Sequence, residues 1–316
     1  MLTLFLCIAI GFTLRKAKIL PDSAGKTMAK LVTWVFMPSL SFITLARNCT
    51  LEKLTTNATN ILLSAATLAL AMAIGIALSF WFVRRKSPER GVYQYALVFA
   101  NCGYVGDPVI QAIFGDAMLA YYKLFTLPMN LVIYTWGVHI LTPHGEKRQN
   151  PLKTLLNAPT IATLAGVVAG LTGLGGILPE FLVGTLDSLK SCMGPTAMLL
   201  AGFTVAGYGM KDMLSNKKVY LATALRLVIL PALLVAFLFG VKELANLLFG
   251  LSIDNTVLFL AFVAYAAPLG LNTVVFPEAY GGNPKTGAGM ALVSHTLFVI
   301  TMPLLFAVMF LLFGHP

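Results

Sequence analysis

Apolar residues run along this chain in stretches of helical length, parted by short polar connections. They predict spans near residues 1–14, 27–46, 60–83, 91–114, 117–141, 158–174, 185–209, 218–243, 255–280 and 285–313. About 20 apolar residues suffice to cross the hydrocarbon core of a bilayer, so the pattern predicts about ten transmembrane helices. The expected fold is an all-α integral membrane protein. Start signals support it: Pro21-Asp22-Ser23 precedes the second span, and Asn283-Pro284 opens the last with an N-cap and an N1 proline. The first span is short. It is either a shortened helix or one that runs past Arg15 with that side chain snorkelling.

Two spans are interrupted by helix-spoiling residues. The first reads Phe99-Ala-Asn-Cys-Gly-Tyr-Val-Gly-Asp-Pro-Val-Ile-Gln-Ala-Ile-Phe-Gly115, and the second Ala264-Tyr-Ala-Ala-Pro-Leu-Gly-Leu-Asn-Thr-Val-Val-Phe-Pro-Glu-Ala-Tyr-Gly281. In lipid, broken backbone persists only where protein buries it or a wet cavity receives it. Paired breaks in corresponding places point to the binding site of a secondary transporter.

The chain also repeats itself. Gly11, Ile19-Leu-Pro-Asp22 and Met37-Pro38 parallel Gly166, Ile177-Leu-Pro-Glu180 and Met193-Gly-Pro195; Thr126-Leu-Pro128 parallels Thr301-Met-Pro303. A chance match is the bland explanation of any one pair, but four pairs recur in one order. The reading is two five-helix repeats, 1–141 and 158–313. An odd number of helices per repeat requires the second to enter the membrane inverted.

Charge then orients the chain. Cations cluster in alternate connections: Arg15, Lys16, Lys18 and Lys26; Arg84, Arg85, Lys86 and Arg90; Lys147, Arg148 and Lys153; Lys211, Lys217 and Lys218. The ninth connection carries Lys285 alone. These odd connections are expected in the cytoplasm, with both termini outside the cell membrane. No cleavable signal is expected, because the first cations follow the apolar stretch.

Composition agrees. The 316 residues are 58% hydrophobic and 11% charged, with mean hydropathy +0.84. Soluble domains carry roughly 25% charged residues. The net charge of +10 does not indicate nucleic acid, since the cations sit between apolar spans and no reading motif accompanies them. Cys7, Cys49, Cys102 and Cys192 are scattered without metal or disulfide spacing, so no metal site is expected. Asn48-Cys-Thr50 and Asn57-Ala-Thr59 fit a glycosylation sequon, a short and common pattern.

The breaks hold the candidate chemistry. Asp107-Pro108 reads as N-cap and N1 of a half-helix; Pro268 ends or kinks the second incoming half, Gly270 gives freedom, and Asn272-Thr273 caps the outgoing half. Two half-helix N-termini would offer partial positive charge and free N–H groups to a carboxylate. Asn101 and Asn272 would add amide donors without the desolvation cost of a buried lysine or arginine. Asp107 reads first as a cap; the rival reading makes it a proton-carrying acid. His295, beside Ser294, reads as a hydrogen-bonded packing histidine rather than a proton relay. Asn130, Tyr134 and Thr135 could line a cavity or join helices. Arg226 is expected to snorkel to the cytoplasmic interface.

These residues carry a family likeness. Gly11-Phe-x-Leu-Arg-Lys, Ile19-Leu-Pro, Lys30-Leu-Val and Phe36-Met-Pro38, with Asn101-Cys-Gly, Gly106-Asp-Pro108, Ala267-Pro-Leu-Gly-Leu-Asn272 and Ser294-x-Thr296, resemble the auxin efflux carrier family, bacterial malate or malonate permease-like members included. The resemblance implies a ten-helix inverted repeat of the bile-acid-symporter type. A scaffold of helices 1, 2, 6 and 7 would hold a transport domain of helices 3–5 and 8–10, with helices 4 and 9 as crossovers. It implies elevator-type transport, often by a homodimer, without a cofactor but with H⁺ or Na⁺ as a possible coupling ion. The substrate-binding residues it implies are Asn101, Pro108, Pro268 and Asn272; Gly103, Asp107 and Gly270 of the same breaks complete the candidate substrate-binding set, with Pro38, Asn130, Tyr134 and His295 secondary. The long central loop of plant auxin carriers is absent, which favours a small carboxylate over auxin.

Other classes compete. A cation/proton exchanger would work through Asp107. An intramembrane enzyme lacks its motifs: no His-Glu-x-x-His occurs, and Gly103-Tyr-Val-Gly106-Asp107 has the wrong spacing for an intramembrane aspartyl protease. A channel or sensor is disfavoured by paired breaks, which suit alternating access. The expected partners are a small organic anion and the bilayer.

Overall fold

The computed structural model describes residues 2–84, 87, 89–142, 158–207, 216–280 and 283–314. Arg85, Lys86, Lys147, Arg148, Lys153, Lys211 and Gly281, named above, lie outside them. The regular elements among the described residues are helices. Five are long and apolar enough to cross a membrane: Ala24–Asn48, Ala58–Phe82, Glu180–Ala206, Lys217–Phe249 and Lys285–Phe313. Shorter apolar helices, Leu127–Leu141, Ala158–Leu171 and Thr256–Ala266, accompany them.

In chain order the α-helices are α1 (Leu2–Lys16), α2 (Ala24–Leu31), α3 (Met37–Asn48), α4 (Leu51–Thr56), α5 (Ala58–Phe82), α6 (Arg90–Val98), α7 (Asp107–Phe125), α8 (Leu127–Val132) and α9 (Val138–Leu141). The second part adds α10 (Ala158–Leu171), α11 (Glu180–Ala206), α12 (Lys217–Ala224), α13 (Leu230–Phe249), α14 (Thr256–Ala266), α15 (Asn272–Tyr280) and α16 (Lys285–Phe313). Gly115 interrupts α7 with φ +79° and ψ −177°, a conformation only glycine adopts readily. That kink falls where the fourth and fifth predicted spans meet.

Proline explains a feature that hydropathy does not reveal. Within a helix, a proline lacks the N–H for its i−4 carbonyl and its ring collides with that oxygen. Pro38, Pro108 and Pro231 each stand two residues beyond a widened π turn, Val32–Phe36, Cys102–Gly106 and Leu225–Ile229. The residue before each proline bonds five residues back, Met37 to Val32, Asp107 to Cys102 and Leu230 to Leu225. At Pro38 and Pro231 the extra residue in the turn makes room for the ring while keeping the helix continuous. A fourth π turn, Ile133–Gly137, has no proline behind it.

The chain divides into two compact units, each drawing on both parts of the sequence. The first comprises residues 1–57, 130–216 and 271–289. In it α1 packs along α11, and α3 along α10. A Cβ on Gly11 would lie 2.0 Å from the Leu199 carbonyl oxygen, and one on Gly202 1.9 Å from that of Ile8. Glycine thus lets the backbones of α1 and α11 touch. Gly166 and Gly170, a Gly-x-x-x-Gly pair, face the carbonyls of Phe42 and Cys49 at 2.8 Å in the same way. Arg15 ends α1 by donating to the Asp22 carboxylate at 2.9 Å and to the Phe203 carbonyl at 3.1 Å.

The second unit comprises residues 58–129, 217–270 and 290–316. Here α5 packs on α6 and α13, and α14 on α7 and α13. Phe114, Phe259 and Phe310 stack edge and face with centroids 5.4–6.4 Å apart. The grouping cuts within α8 and α16.

Candidate functional site

Both interrupted spans are broken, and within the second unit their broken backbones meet. After α6 the chain turns extended at Phe99 (φ −109°, ψ 130°) and irregular at Asn101 (φ −80°, ψ 55°). After α14 it turns extended at Ala267 (φ −59°, ψ 153°). Ala100 and Leu269 then pair as a short antiparallel bridge, and the Asn101 N–H donates to the Pro268 carbonyl at 2.8 Å. The Leu269 N–H donates to Ser294 Oγ at 3.2 Å, and that hydroxyl donates to the Ala291 carbonyl at the same distance. Phe99, Ala100, Asn101 and Leu269 are all buried. Backbone freed from a helix in an apolar interior must find partners, and each break supplies partners to the other.

Asn101 is anchored by its side chain as well. Its Nδ2 lies 3.3 Å from His295 Nε2, and His295 Nδ1 lies 2.8 Å from the Ala291 carbonyl. A carbonyl only accepts, so Nδ1 carries the ring proton and Nε2 accepts from the amide. His295 is therefore hydrogen-bonded, as expected, and its partner is the central residue of the first break.

The half-helix after the first break begins earlier than Asp107-Pro108 suggests. Asn101 is the residue before the π turn Cys102–Gly106, whose last N–H groups, on Val105 and Gly106, bond back to the Asn101 carbonyl. Asp107 lies a turn inside, in helical conformation, with its carboxylate ion-paired to Lys123. The capping role read for Asp107 is thus corrected: the π turn demanded by Pro108 moves the helix start back to Asn101. A Cβ on Gly103 would meet nothing within 4 Å, so the first turn opens onto free space. Gly106 is held against the Tyr122 hydroxyl and Gly270 against the Tyr95 ring, where a Cβ would approach to 2.2 and 3.0 Å. The Tyr122 hydroxyl donates to the Cys102 carbonyl at 3.3 Å.

The remaining candidates belong to the first unit. Asn272 is 8% exposed and is the first residue of α15, where Leu271 rather than Asn272 receives the opening helix bonds. It follows the bridged Leu269 by three positions in the chain. Pro38 lies behind its π turn, Asn130 is half-buried, and the Tyr134 carbonyl accepts from the Thr160 hydroxyl.

One residue was misplaced by the sequence reading. Arg226 does not snorkel: it is 2% exposed, in the π turn Leu225–Ile229, which packs against α14 and α6. Tyr265, Cys102, Tyr122 and Tyr95 are the titratable side chains within reach of its charge. Its signal in the sequence was Pro231, which widens the preceding turn and so changes which way its residues face.

An all-helical chain with several membrane-length helices and two broken segments bonded to each other defines a membrane-embedded transporter architecture. Known proteins agree. The family model described as "Membrane transport protein" matches residues 1–151 and 147–306, and the chain belongs to that family, in keeping with its resemblance to auxin efflux carriers. It is similar to an uncharacterized transporter of Methanothermobacter thermautotrophicus, 23% identical over 235 residues, covering 73% of this chain and 74% of the relative. An uncharacterized transporter of Methanocaldococcus jannaschii is 21% identical over 218 residues, covering 66% and 69%.

Proposed function

We propose that the protein is a secondary transporter of small organic anions, carboxylates such as malate or malonate, working by elevator-type alternating access. The observation that supports this most is the bonded pair of breaks, with Asn101 opening a half-helix whose first turn faces free space at Gly103. The first N–H groups of that turn have no carbonyl ahead of them and carry the positive end of the helix dipole, which suits an anion. Asn101 and Asn272, at the starts of the two half-helices, are the residues expected to orient the substrate. The inverted repeat finds support in the glycine contacts: Gly11 and Gly166, corresponding positions in the two repeats, each meet a backbone carbonyl of the other repeat.

Purified protein in liposomes, given radiolabelled malate, malonate or an aromatic carboxylate under imposed H⁺ and Na⁺ gradients, tests the reading. Asn101→Ala and Asn272→Ala should each abolish substrate flux while leaving the protein monodisperse. Wild-type flux through both variants would remove the proposed site.

The exchanger reading has one observation behind it, the half-buried ion pair of Asp107 with Lys123. That carboxylate already has a cation partner in the chain, which favours a structural role for the pair over ion carriage. Flux of Na⁺ or protons without organic substrate, lost in Asp107→Asn, would turn the assignment to an exchanger.

A further inference from the structure

Arg226 is a charge without a partner. It is 2% exposed, and Nε, Nη1 and Nη2 all lack a hydrogen-bond acceptor. Among the described residues it enters no ion pair. The Tyr265 hydroxyl, fully buried and near enough to feel the Arg226 charge, is likewise unbonded. A buried charge is tolerated when something neutralises it, and the nearby Tyr95, Tyr122, Tyr265 and Cys102 carry no carboxylate. Asp107, the acid of the neighbouring helix, is already bound by Lys123.

The position is as telling as the chemistry. The π turn that holds Arg226 packs against α14 and α6, the incoming halves of both broken spans. Cys102, near enough to feel the Arg226 charge, begins the half-helix behind Asn101, and the next residue is Gly103, with free space where its side chain would be. A π turn in a helix often marks a functional position, because it re-aims one side chain. A guanidinium presents a planar fork of donors that matches the two oxygens of a carboxylate.

We propose that Arg226, assisted by the Tyr265 hydroxyl, holds the carboxylate of the transported anion inside the second unit. The proposal rests on the transporter reading above and adds to it the countercharge that the amides of Asn101 and Asn272 do not supply. The fork donates to the carboxylate oxygens and the Tyr265 O–H donates to one of them. The unoccupied protein then carries one uncompensated buried cation, and occupation removes it.

The test is anion-dependent thermal stability of the full chain in detergent, exchanged into anion-poor buffer and titrated with sodium acetate, sodium malonate or sodium chloride at matched ionic strength. Wild type should gain stability with a carboxylate and less with chloride. Arg226→Gln should unfold no earlier than wild type without anion, since it removes an unpaired charge, and should lose the gain. Arg226→Lys should keep part of it, and Tyr265→Phe should raise the half-saturating carboxylate concentration about tenfold, the loss of one charge-assisted bond. A carboxylate response that survives in Arg226→Gln, a response of wild type to chloride alone, or none to any anion would overturn the proposal. Liposome flux separates the two readings. Carboxylate flux with unchanged KM in Arg226→Gln and Tyr265→Phe rejects the Arg226 site and keeps the transporter. Arg226-dependent binding without any flux keeps the site and rejects the transporter.

Discussion

Asn101 bonds across the break through both backbone and side chain, and its energetics are open to measurement. Its N–H serves Pro268, its carbonyl closes the π turn, and its amide serves His295 Nε2. In Asn101→Ala the ring nitrogen is left buried without its donor, which costs about 1–3 kcal/mol. His295→Leu strands the amide instead. The two changes together should cost less than their sum, and a double-mutant cycle of thermal midpoints measures that coupling. Additive losses would mean that the 3.3 Å contact carries no energy. At this scale the sequence was partly legible. A buried asparagine between apolar residues marks Asn101, because a lone amide in lipid needs a partner. The partner lies 194 residues away, and nothing local to His295 names it. Asp107 was misjudged because Asp-Pro is an ordinary helix start, while a proline-driven π turn shifts the start out of sight of local pattern. Arg226 was misjudged because an arginine near a helix end usually reaches water.

Among the elements, helix contacts in the first unit turn on glycines rather than on large side chains. Gly202→Ala drives a methyl to 1.9 Å from the Ile8 carbonyl, and Gly11→Ala one to 2.0 Å from that of Leu199. Backbone cannot yield as a flexible side chain does, so each change should cost about 1–3 kcal/mol as α1 parts from α11. Gly184→Ala and Gly240→Ala, also in helices, meet nothing within 4 Å. These two should gain about 0.4–1 kcal/mol from reduced freedom of the unfolded chain. Thermal midpoints of the four variants, falling for one pair and rising for the other, test the packing directly. The start of α14 offers a pH-dependent case. Asp254 accepts from the Thr256 N–H at 2.6 Å and from its hydroxyl, and these bonds hold its carboxyl below the usual range. A depressed carboxyl stabilises the fold above its ordinary value and loses that contribution as pH falls through the folded value. Asp254→Ala should therefore cost up to about 1 kcal/mol near neutrality, with the difference from wild type fading below about pH 4. Apolar run length made the elements readable, and Pro with Gly made the breaks readable. Which carbonyls the glycines of α1, α10 and α11 would meet was not, since a close backbone approach depends on the partner helix.

Over the whole molecule, both compact units are assembled from non-adjacent stretches. The chain passes between them after residues 57, 129, 216, 270 and 289. Two of those passages fall inside α8 and α16, so no cut of the sequence separates the units. The five-helix repeats expected at 1–141 and 158–313 are a reading of order along the chain, while the units describe packing. Orientation in the membrane belongs to this scale too, because it is a property of all the connections together. Arg15, Lys16, Lys26, Arg84, Arg90, Lys217 and Lys218 flank the odd connections, whereas Lys53, Lys123, Lys190 and Lys242 are isolated cations of the even ones. Three of these, Lys123, Lys190 and Lys242, are ion-paired, to Asp107, Asp187 and Glu243. Moving a flanking cluster across the bilayer is opposed at every cation, so the odd side should stay in the cytoplasm. With the ten spans expected from the sequence, both ends of this chain should then lie outside. The check is labelling of Gly314→Cys and Leu2→Cys, each in a chain whose four native cysteines are replaced by alanine, with a membrane-impermeant maleimide on intact cells. Both should react without permeabilisation, while Lys26→Cys should react only after it. Protection of one end and not the other would require an odd number of crossings, and with it the inverted relation between the repeats would fail.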